Sequence, residues 1–457
     1  MSGQLVIKRQ PLILVGLIAG AIASLAPGTI FIFLLAFISI SLITSRCADE
    51  EEKRFIFLVF MAGFLSRVIL CSFLHFLEVR YGIGYKNEEL GVMIPALFGD
   101  DGSYSLRGWL TSQYLHGTLV DAERLNRMGW LFYESINRGH NFIVYTVFYY
   151  FFGFAQLSAK FINCLIGVLS AILVYFITKD VFNKTAAKIA AILAMFFPSI
   201  FLWSLTNLKE SPMMFLLCLT IFASIRFNKY RRLYYIFLAF MGIYLTQAIR
   251  PDYIMPFLAA AFLSLAFYIK KEMLAGIIII MIIAVLLANL FGCQILNIVN
   301  DAIIGTLGKF IDLQRGYVLT GGSTYKIYDE RFYQGHSVNI NPLAFFEYLP
   351  KGLIYFLFTP FPWGIHTKLQ LIACPQIILW YILALFAFLG ILSIKKDKRA
   401  SALIALLYIF FITSALALSS GNIGTALRHR DIVLPLFFVF SAGGLERLFK
   451  RRAKSND

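Results

Sequence analysis

The chain has 457 residues, 59% of them hydrophobic and only 14% charged, with 46 Phe and 23 Tyr and a mean hydropathy of +0.76. An ordinary soluble domain is roughly 45–50% apolar and about 25% charged, so this composition excludes soluble, fibrous and disordered classes and places the chain in a bilayer. Its formal net charge of +16 would suggest nucleic acid as partner of a soluble protein; in a membrane protein it reads as orientation. The six cysteines (Cys47, Cys71, Cys164, Cys218, Cys293 and Cys374) form no CxxC pair, which implies neither a zinc site nor a disulfide framework.

The N-terminal apolar stretch lacks a small-residue cleavage site followed by a mature soluble domain, so it is expected to be retained as a helix. A spanning helix needs about 20 apolar residues. Candidate segments lie near 11–26, 28–44, 55–78, 155–178, 186–204, 212–226, 234–249, 253–269, 273–291, 371–394, 400–418 and 432–446, which predicts an all-α polytopic protein of about twelve spans. Ala26-Pro27-Gly28 is a turn signal that makes 11–44 a tight hairpin. The expected organisation is therefore an N-terminal hairpin and loop, 1–54, followed by a transmembrane domain, 55–457.

The loops alternate in charge. One side carries Lys8 and Arg9, then Arg46, Lys53 and Arg54, then Lys179, Lys184 and Lys188, then the 226–232 cations, Lys270 and Lys271, the 395–399 cations and the tail ERLFKRRAK. These loops hold 23 of the 41 basic side chains against 9 acidic ones, so this side is expected to be cytoplasmic, with both termini on it. Most of the net charge is thereby an orientation signal, and no nucleic-acid partner is required. Two outward segments, 79–154 and 292–370, are too long to be connectors. Their Tyr, Trp, Phe, Gly and charge content suits helices lying along a membrane face, with interfacial pieces expected at 104–116, 141–153 and 345–358. No internal repeat suggests the halves of a transporter.

The chemistry-bearing residues concentrate on the outward side. Phe98-Gly99-Asp100-Asp101-Gly102-Ser103-Tyr104-Ser105-Leu106-Arg107 follows a spanning helix. Adjacent carboxylates repel unless an Arg, a proton or a metal offsets them. One of them can be poised as a base, or both can help hold a hard divalent cation such as Mg or Mn; a solvated turn is the alternative. Asn207-Leu208-Lys209-Glu210-Ser211-Pro212 joins two helices and exposes a Lys and a Glu, as a site or as a snorkelling local pair. Arg250 occupies a short outward turn, Arg250-Pro251-Asp252, where a cation needs a partner. Ser419 to Asp431 is read as the last outward loop, with Arg428 and Arg430 suited to bidentate capture of a phosphate or to lipid headgroups. Arg67, in the middle of 55–78, is a functional or pairing hypothesis, with Glu78, His75 or an outer carboxylate as structural partner. A paired carboxylate and three cationic turns would face one outer cavity if the helices bundle. That charge arrangement serves a phosphorylated lipid donor and a hydroxyl acceptor.

This order of features resembles the integral-membrane glycosyltransferases of the GT-C fold, which use polyprenyl-phosphate sugars and include protein O-mannosyltransferases and aminoarabinose transferases of lipid A. The resemblance covers roughly 55–445 and rests on Asp100-Asp101-Gly102-Ser103-Tyr104, on Phe152-Gly153, on FINCLIGVLSAILVYFITKDVF, on Ala190 through Pro198 and on Leu208-Lys209-Glu210. It implies Asp100 or Asp101 as catalytic base, and Lys209, Glu210, Arg250, Arg428 and Arg430 at the donor phosphate. Tyr104 and Arg107 would meet substrate. The chain departs from the pattern in its extra hairpin before the acidic loop, in lacking a folded domain after the last helix and in lacking a WWDYG-like stretch, which argues against the oligosaccharyltransferase branch. The stretch Gly321-Gly322-Ser323-Thr324-Tyr325 and the aromatic run Phe358 to Trp363 match no motif; the second outer segment is expected to shape the acceptor side, or to be an aromatic belt.

The implied activity is transfer of a hexosyl or pentosyl unit from a polyprenyl-phosphate donor to a hydroxyl of a glycan, lipid or protein, at the extracytoplasmic face of a bacterial inner membrane. A repeat-unit polymerase of surface polysaccharide would also have about twelve helices and outer arginines. A lipid-linked sugar flippase or transporter would place its charges nearer the midplane.

Overall fold

A computed structural model of the protein describes residues 20, 26, 28–47, 49–87, 92–118, 143–266, 295–334, 345–365 and 368–456. These residues are overwhelmingly helical. In chain order they form α1 (Gly28–Ser45), α2 (Glu50–Tyr81), β1 (Gly84–Asn87), β2 (Val92–Pro95), α3 (Gly99–Leu115), α4 (Ile143–Phe152), α5 (Gln156–Val181) and α6 (Lys184–Phe196). There follow α7 (Pro198–Trp203), α8 (Glu210–Tyr230), α9 (Leu233–Ile249), α10 (Ile254–Ala266), α11 (Ile295–Thr320), α12 (Phe345–Phe358), α13 (Lys368–Ile391), α14 (Arg399–Ser419) and α15 (Ile423–Asn456).

Seven of the described helices are long and apolar enough to cross a bilayer: Gly28–Ser45, Glu50–Tyr81, Gln156–Val181, Glu210–Tyr230, Gln370–Ile391, Lys396–Ser419 and Ile423–Lys450. Leu233–Ile249 and Ile254–Ser264 are shorter apolar helices. The expected count of about twelve spans is thus not reached among the described residues. The expected spans 11–26 and 273–291 lie, but for two isolated positions, outside them, as does 119–142 of the first outer segment. The three expected interfacial pieces are helices, in α3, α4 and α12. Exposed Phe37, Phe73, Phe237, Ile372 and Phe388 give the helices apolar faces of the kind acyl chains cover.

Local chemistry sets the element ends. Asp49 caps α2 by accepting from the Glu52 amide at 2.8 Å, three glutamates occupy the first turn, and Gly82 ends the helix at φ 62°. Asn183 caps α6 by accepting from the Thr185 and Ala186 amides. The expected single helix over 186–204 is broken, because Pro198 cannot donate to the ladder and pushes Phe197 into an extended conformation, φ −63° and ψ 126°. The hairpin β1–β2 pairs antiparallel with Tyr85 opposite Ile94.

The chain divides into two compact units, one comprising Met1–Leu169 and Ile200–Pro212, the other Ser170–Ser199 and Met213–Asp457. In unit 1, α1 packs on α2, and α3 packs against both α4 and the hairpin. In unit 2, α13 lies along α15, α6 packs on α15, and α14 is contacted by α10, α11, α12 and α15.

Candidate active site

The acidic pair of unit 1 lies in the first turn of α3, a helix and not a turn. Consecutive residues of a helix are about 100° apart, so the two carboxylates diverge: Asp101 is fully buried and Asp100 is exposed. Asp101 Oδ1 accepts from the backbone amide of Asn207 at 3.0 Å. Its Oδ2 lies 3.7 Å from Lys160 Nζ and accepts no hydrogen bond among the described residues. Burial pushes the Asp101 carboxyl up to about 6, against the opposing pull of Lys160 and the Asn207 amide.

Lys160 stands in the second turn of α5 and is itself buried. Its ammonium donates to Glu78 Oε2 near the end of α2, and His75 Nδ1 lies 3.2 Å from the same oxygen. One ammonium thus stands against two buried carboxylates from different elements, the pairing that a charge out of water requires. Arg67, also buried, donates to Ser204 Oγ at 2.8 Å and to the Gly63 carbonyl at 3.1 Å, and lies over the Phe201 ring. The ion pair near the C-terminal end of α2 is therefore that of Glu78 with Lys160.

Asn207 holds the site from the other side, its side-chain amide donating to Ser105 Oγ at 2.8 Å. Ser105 is four residues after Asp101 and so on the same face of α3. Asn163 Nδ2 lies 2.6 Å from the Thr206 carbonyl and 2.9 Å from that of Leu208, and Tyr145 donates to the latter at 3.2 Å. Burial pushes the Tyr145 phenol well up, which keeps it a donor. These contacts fix residues 206–208 beside Asp101 and deliver the next two residues: Lys209 sits over the Tyr104 ring at 5.6 Å, and Glu210 is buried in the first turn of α8. Arg107 is half-buried on α3.

Of the sequence-predicted residues, Asp101, Tyr104, Lys209 and Glu210 are gathered in unit 1. Asp100 and Arg107 share its helix α3. Arg250, Arg428 and Arg430 belong to unit 2. There Arg250 is buried and finds its partners, donating to Tyr253 Oη at 2.6 Å and to His429 Nε2 at 2.7 Å. A guanidinium only donates, so His429 Nε2 must accept and Nδ1 carries the proton, toward Ser420 Oγ at 3.2 Å. The segment expected as a loop before a helix at 432 is already helical from Ile423. On a helix, residues two apart point roughly 200° from each other, so Arg428 and Arg430 do not act as one fork. Arg430 is buried and donates through Nη1 to the Leu357 and Thr359 carbonyls at 2.9 and 3.1 Å, while its Nε and Nη2 have no partner among the described residues.

The two motif-free stretches of the second outer segment also have places. Thr324 forms an isolated antiparallel bridge with Asn422, flanked by Tyr325 N–H to the Gly421 carbonyl and Ile423 N–H to the Ser323 carbonyl, both 2.9 Å. The aromatic run presents Trp363, 80% exposed, stacked on Phe361 with ring centroids 5.1 Å apart.

A divalent cation does not fit the acidic pair among the described residues. The two carboxylates diverge, the ammonium of Lys160 already stands against Asp101, and no group of three or more His, Cys, Asp or Glu side chains gathers for a metal. Sequence reasoning missed Lys160 and Asn163, and gave no role to Asn207 or His429. A Lys and an Asn three apart, on one face of an otherwise apolar span, is the signal that could have found the first two.

Residues 141–291 match the family described as dolichyl-phosphate-mannose-protein mannosyltransferase, a GT-C mannosyltransferase family, in agreement with the resemblance read from the sequence. The matched stretch holds Lys160, Asn163, Asn207, Lys209, Glu210 and Arg250. No curated protein matches the chain by sequence. Among solved structures, the apo oligosaccharyltransferase of Archaeoglobus fulgidus aligns with 16% identity and a TM-score of 0.43, over 87% of this chain and 52% of that one. The same enzyme tethered by a disulfide to an acceptor peptide containing the NVT sequon aligns with 15% identity and a TM-score of 0.38, over 85% and 50%. The chain spans about half the length of the solved structures it matches.

Proposed function

We propose that the protein is a membrane glycosyltransferase that moves a sugar from a polyprenyl-phosphate donor to a hydroxyl acceptor at the extracytoplasmic face, with Asp101 as the catalytic base. The observation that carries this reading is the Asp101 carboxylate: fully buried, fixed through Oδ1 by the Asn207 amide, with Oδ2 free of any hydrogen bond among the described residues. One oxygen is anchored and the other is left without a hydrogen bond, and a carboxyl at about 6 is largely ionised at neutral pH yet basic enough to take a proton.

In the step so assigned, the acceptor oxygen attacks the anomeric carbon as the bond from that carbon to the phosphate oxygen breaks. The hydroxyl proton passes to Asp101 Oδ2, and the donor leaves as polyprenyl phosphate. Attack opposite the leaving group inverts the anomeric centre through an oxocarbenium-like transition state. Lys209, held over Tyr104 beside this site, is assigned to the phosphate as charge grows on it. Lys160 is a positioning residue: it holds Asp101 and Glu78 in place without meeting substrate. Within unit 2, the two unpartnered nitrogens of buried Arg430 suit a phosphate oxygen, and the exposed Trp363–Phe361 stack suits the face of a sugar.

The test is product identity. Membranes containing the protein, incubated with a polyprenyl-phosphate monosaccharide, are expected to release polyprenyl phosphate. Release of polyprenyl diphosphate from a lipid-linked oligosaccharide would make the protein a repeat-unit polymerase, and uptake with the lipid carrier unchanged would make it a transporter.

A further inference from the structure

The basic end of unit 2 contains a cavity of about 480 Å³, formed where the turn between α5 and α6, the loop between α13 and α14, and the late turns of α15 come together. This is within the roughly 300–1,000 Å³ of small-molecule pockets. Its charged lining is four cations, Lys395, Lys398, Arg447 and Lys450, against one carboxylate, Glu446. That carboxylate is already engaged: Oε2 accepts from Asn183 Nδ2 at 2.8 Å and Oε1 lies 2.5 Å from Lys450 Nζ. Glu446 therefore orients Lys450 and ties α15 to the α5–α6 turn, and the cavity keeps a net positive charge.

Loop cations that serve only as an orientation signal need no concavity and no convergence from separate elements. Here Lys395 and Lys398 come from one loop, and Arg447 and Lys450 from a helix some fifty residues later, and all line one hollow. Apolar surface adjoins them: Leu392, 64% exposed, lines the same cavity, and Leu448 and Phe449, next to Arg447 in the chain, are also exposed. Cations would suffice for a soluble anion, whereas cations beside exposed apolar side chains suit an amphiphile.

We propose that this cavity binds the phosphate headgroup of an anionic phospholipid, its phosphate among Lys395, Lys398 and Arg447 and its chains against Leu392 and the neighbouring apolar surface. The site is independent of the transfer reaction and uses none of the residues assigned to it.

Native mass spectrometry of the full chain, released from detergent containing phosphatidylglycerol or phosphatidylcholine, tests the proposal. Phosphatidylglycerol is expected to be retained and phosphatidylcholine not. A Lys395→Gln/Lys398→Gln/Arg447→Gln variant is expected to lose retention by about tenfold or more, whereas Arg54→Gln/Arg231→Gln/Arg232→Gln, which removes as many cations away from the cavity, is expected to keep it. Glu446→Gln keeps a hydrogen-bonding group for Asn183 while removing the one negative charge, and is expected to tighten retention. Millimolar inorganic phosphate is expected to leave the lipid in place. Equal loss in both triple variants would reduce the effect to unspecific attraction by a basic surface and overturn the proposal. So would weaker binding in Glu446→Gln, or displacement by inorganic phosphate, which would make the site one for a soluble anion.

Discussion

Asp100 and Asp101 are indistinguishable as letters, and the difference between them is a matter of helical phase. Because α3 begins at Gly99, Asp101 turns inward to Asn207 and Lys160 while Asp100 faces out. Asp101→Asn, which keeps the shape and the Asn207 contact, is expected to lower kcat/KM by about 10²–10⁴-fold, the usual share of a general base. The pH profile follows from the raised carboxyl. Asp101 must be ionised to act, so the rate should be level above about pH 6 and fall as the pH drops through that value, by about tenfold per unit. A base with an ordinary carboxylate value would instead put the fall nearer pH 4. Lys160→Met should destabilise the protein by roughly 3–5 kcal/mol, since it leaves Glu78 and Asp101 buried without their cation; thermal unfolding in detergent measures it. Adding Glu78→Gln should recover part of the loss. The acidic pair was legible in the sequence as a candidate, but not which member is buried, because that depends on the phase of a helix whose start carries no capping side chain; Lys160 belongs to no motif.

Among the elements, most of the described spans were legible to within a few residues, since about 20 apolar residues in a row have few other places to go. Residues 345–358 coincide with α12. The start of α15 was not legible: Arg428, His429, Arg430 and Asp431 read as loop by polarity, yet three of the four are buried by contacts from distant segments, Arg250, Ser420 and the Leu357 and Thr359 carbonyls among them. The β1–β2 hairpin, with two four-residue strands, gave no periodic signal long enough to read. Small residues decide how closely α13 and α15 lie. A Cβ on Gly444 would come within 2.1 Å of the Phe386 carbonyl oxygen, and one on Gly390 within 1.9 Å of that of Phe440. The obstacles are backbone and cannot rotate away, so Gly444→Ala is expected to part the helices and cost about 1–3 kcal/mol. A lowered Tm, with a matching loss from Gly390→Ala, checks it; an unchanged Tm in both would contradict this packing.

For the whole molecule, the apolar composition carried the membrane assignment. The division into two units was not legible, because their stretches alternate along the chain, 1–169 and 200–212 in one and 170–199 and 213–457 in the other, and contacts between residues far apart in the chain leave no mark in composition. The candidate site shows the same limit. Its parts come from α2, α3, α5 and the 204–210 connection, and only α3 and that connection announced themselves by motif. The decisive comparison is of Asp101→Asn with Asp100→Asn in proteoliposomes supplied with a polyprenyl-phosphate sugar, scoring polyprenyl phosphate released per correctly inserted protein. Asp101→Asn is expected to lose release by at least about a hundredfold while Asp100→Asn keeps most of it; full release from Asp101→Asn, or a loss confined to Asp100→Asn, would contradict Asp101 as the base.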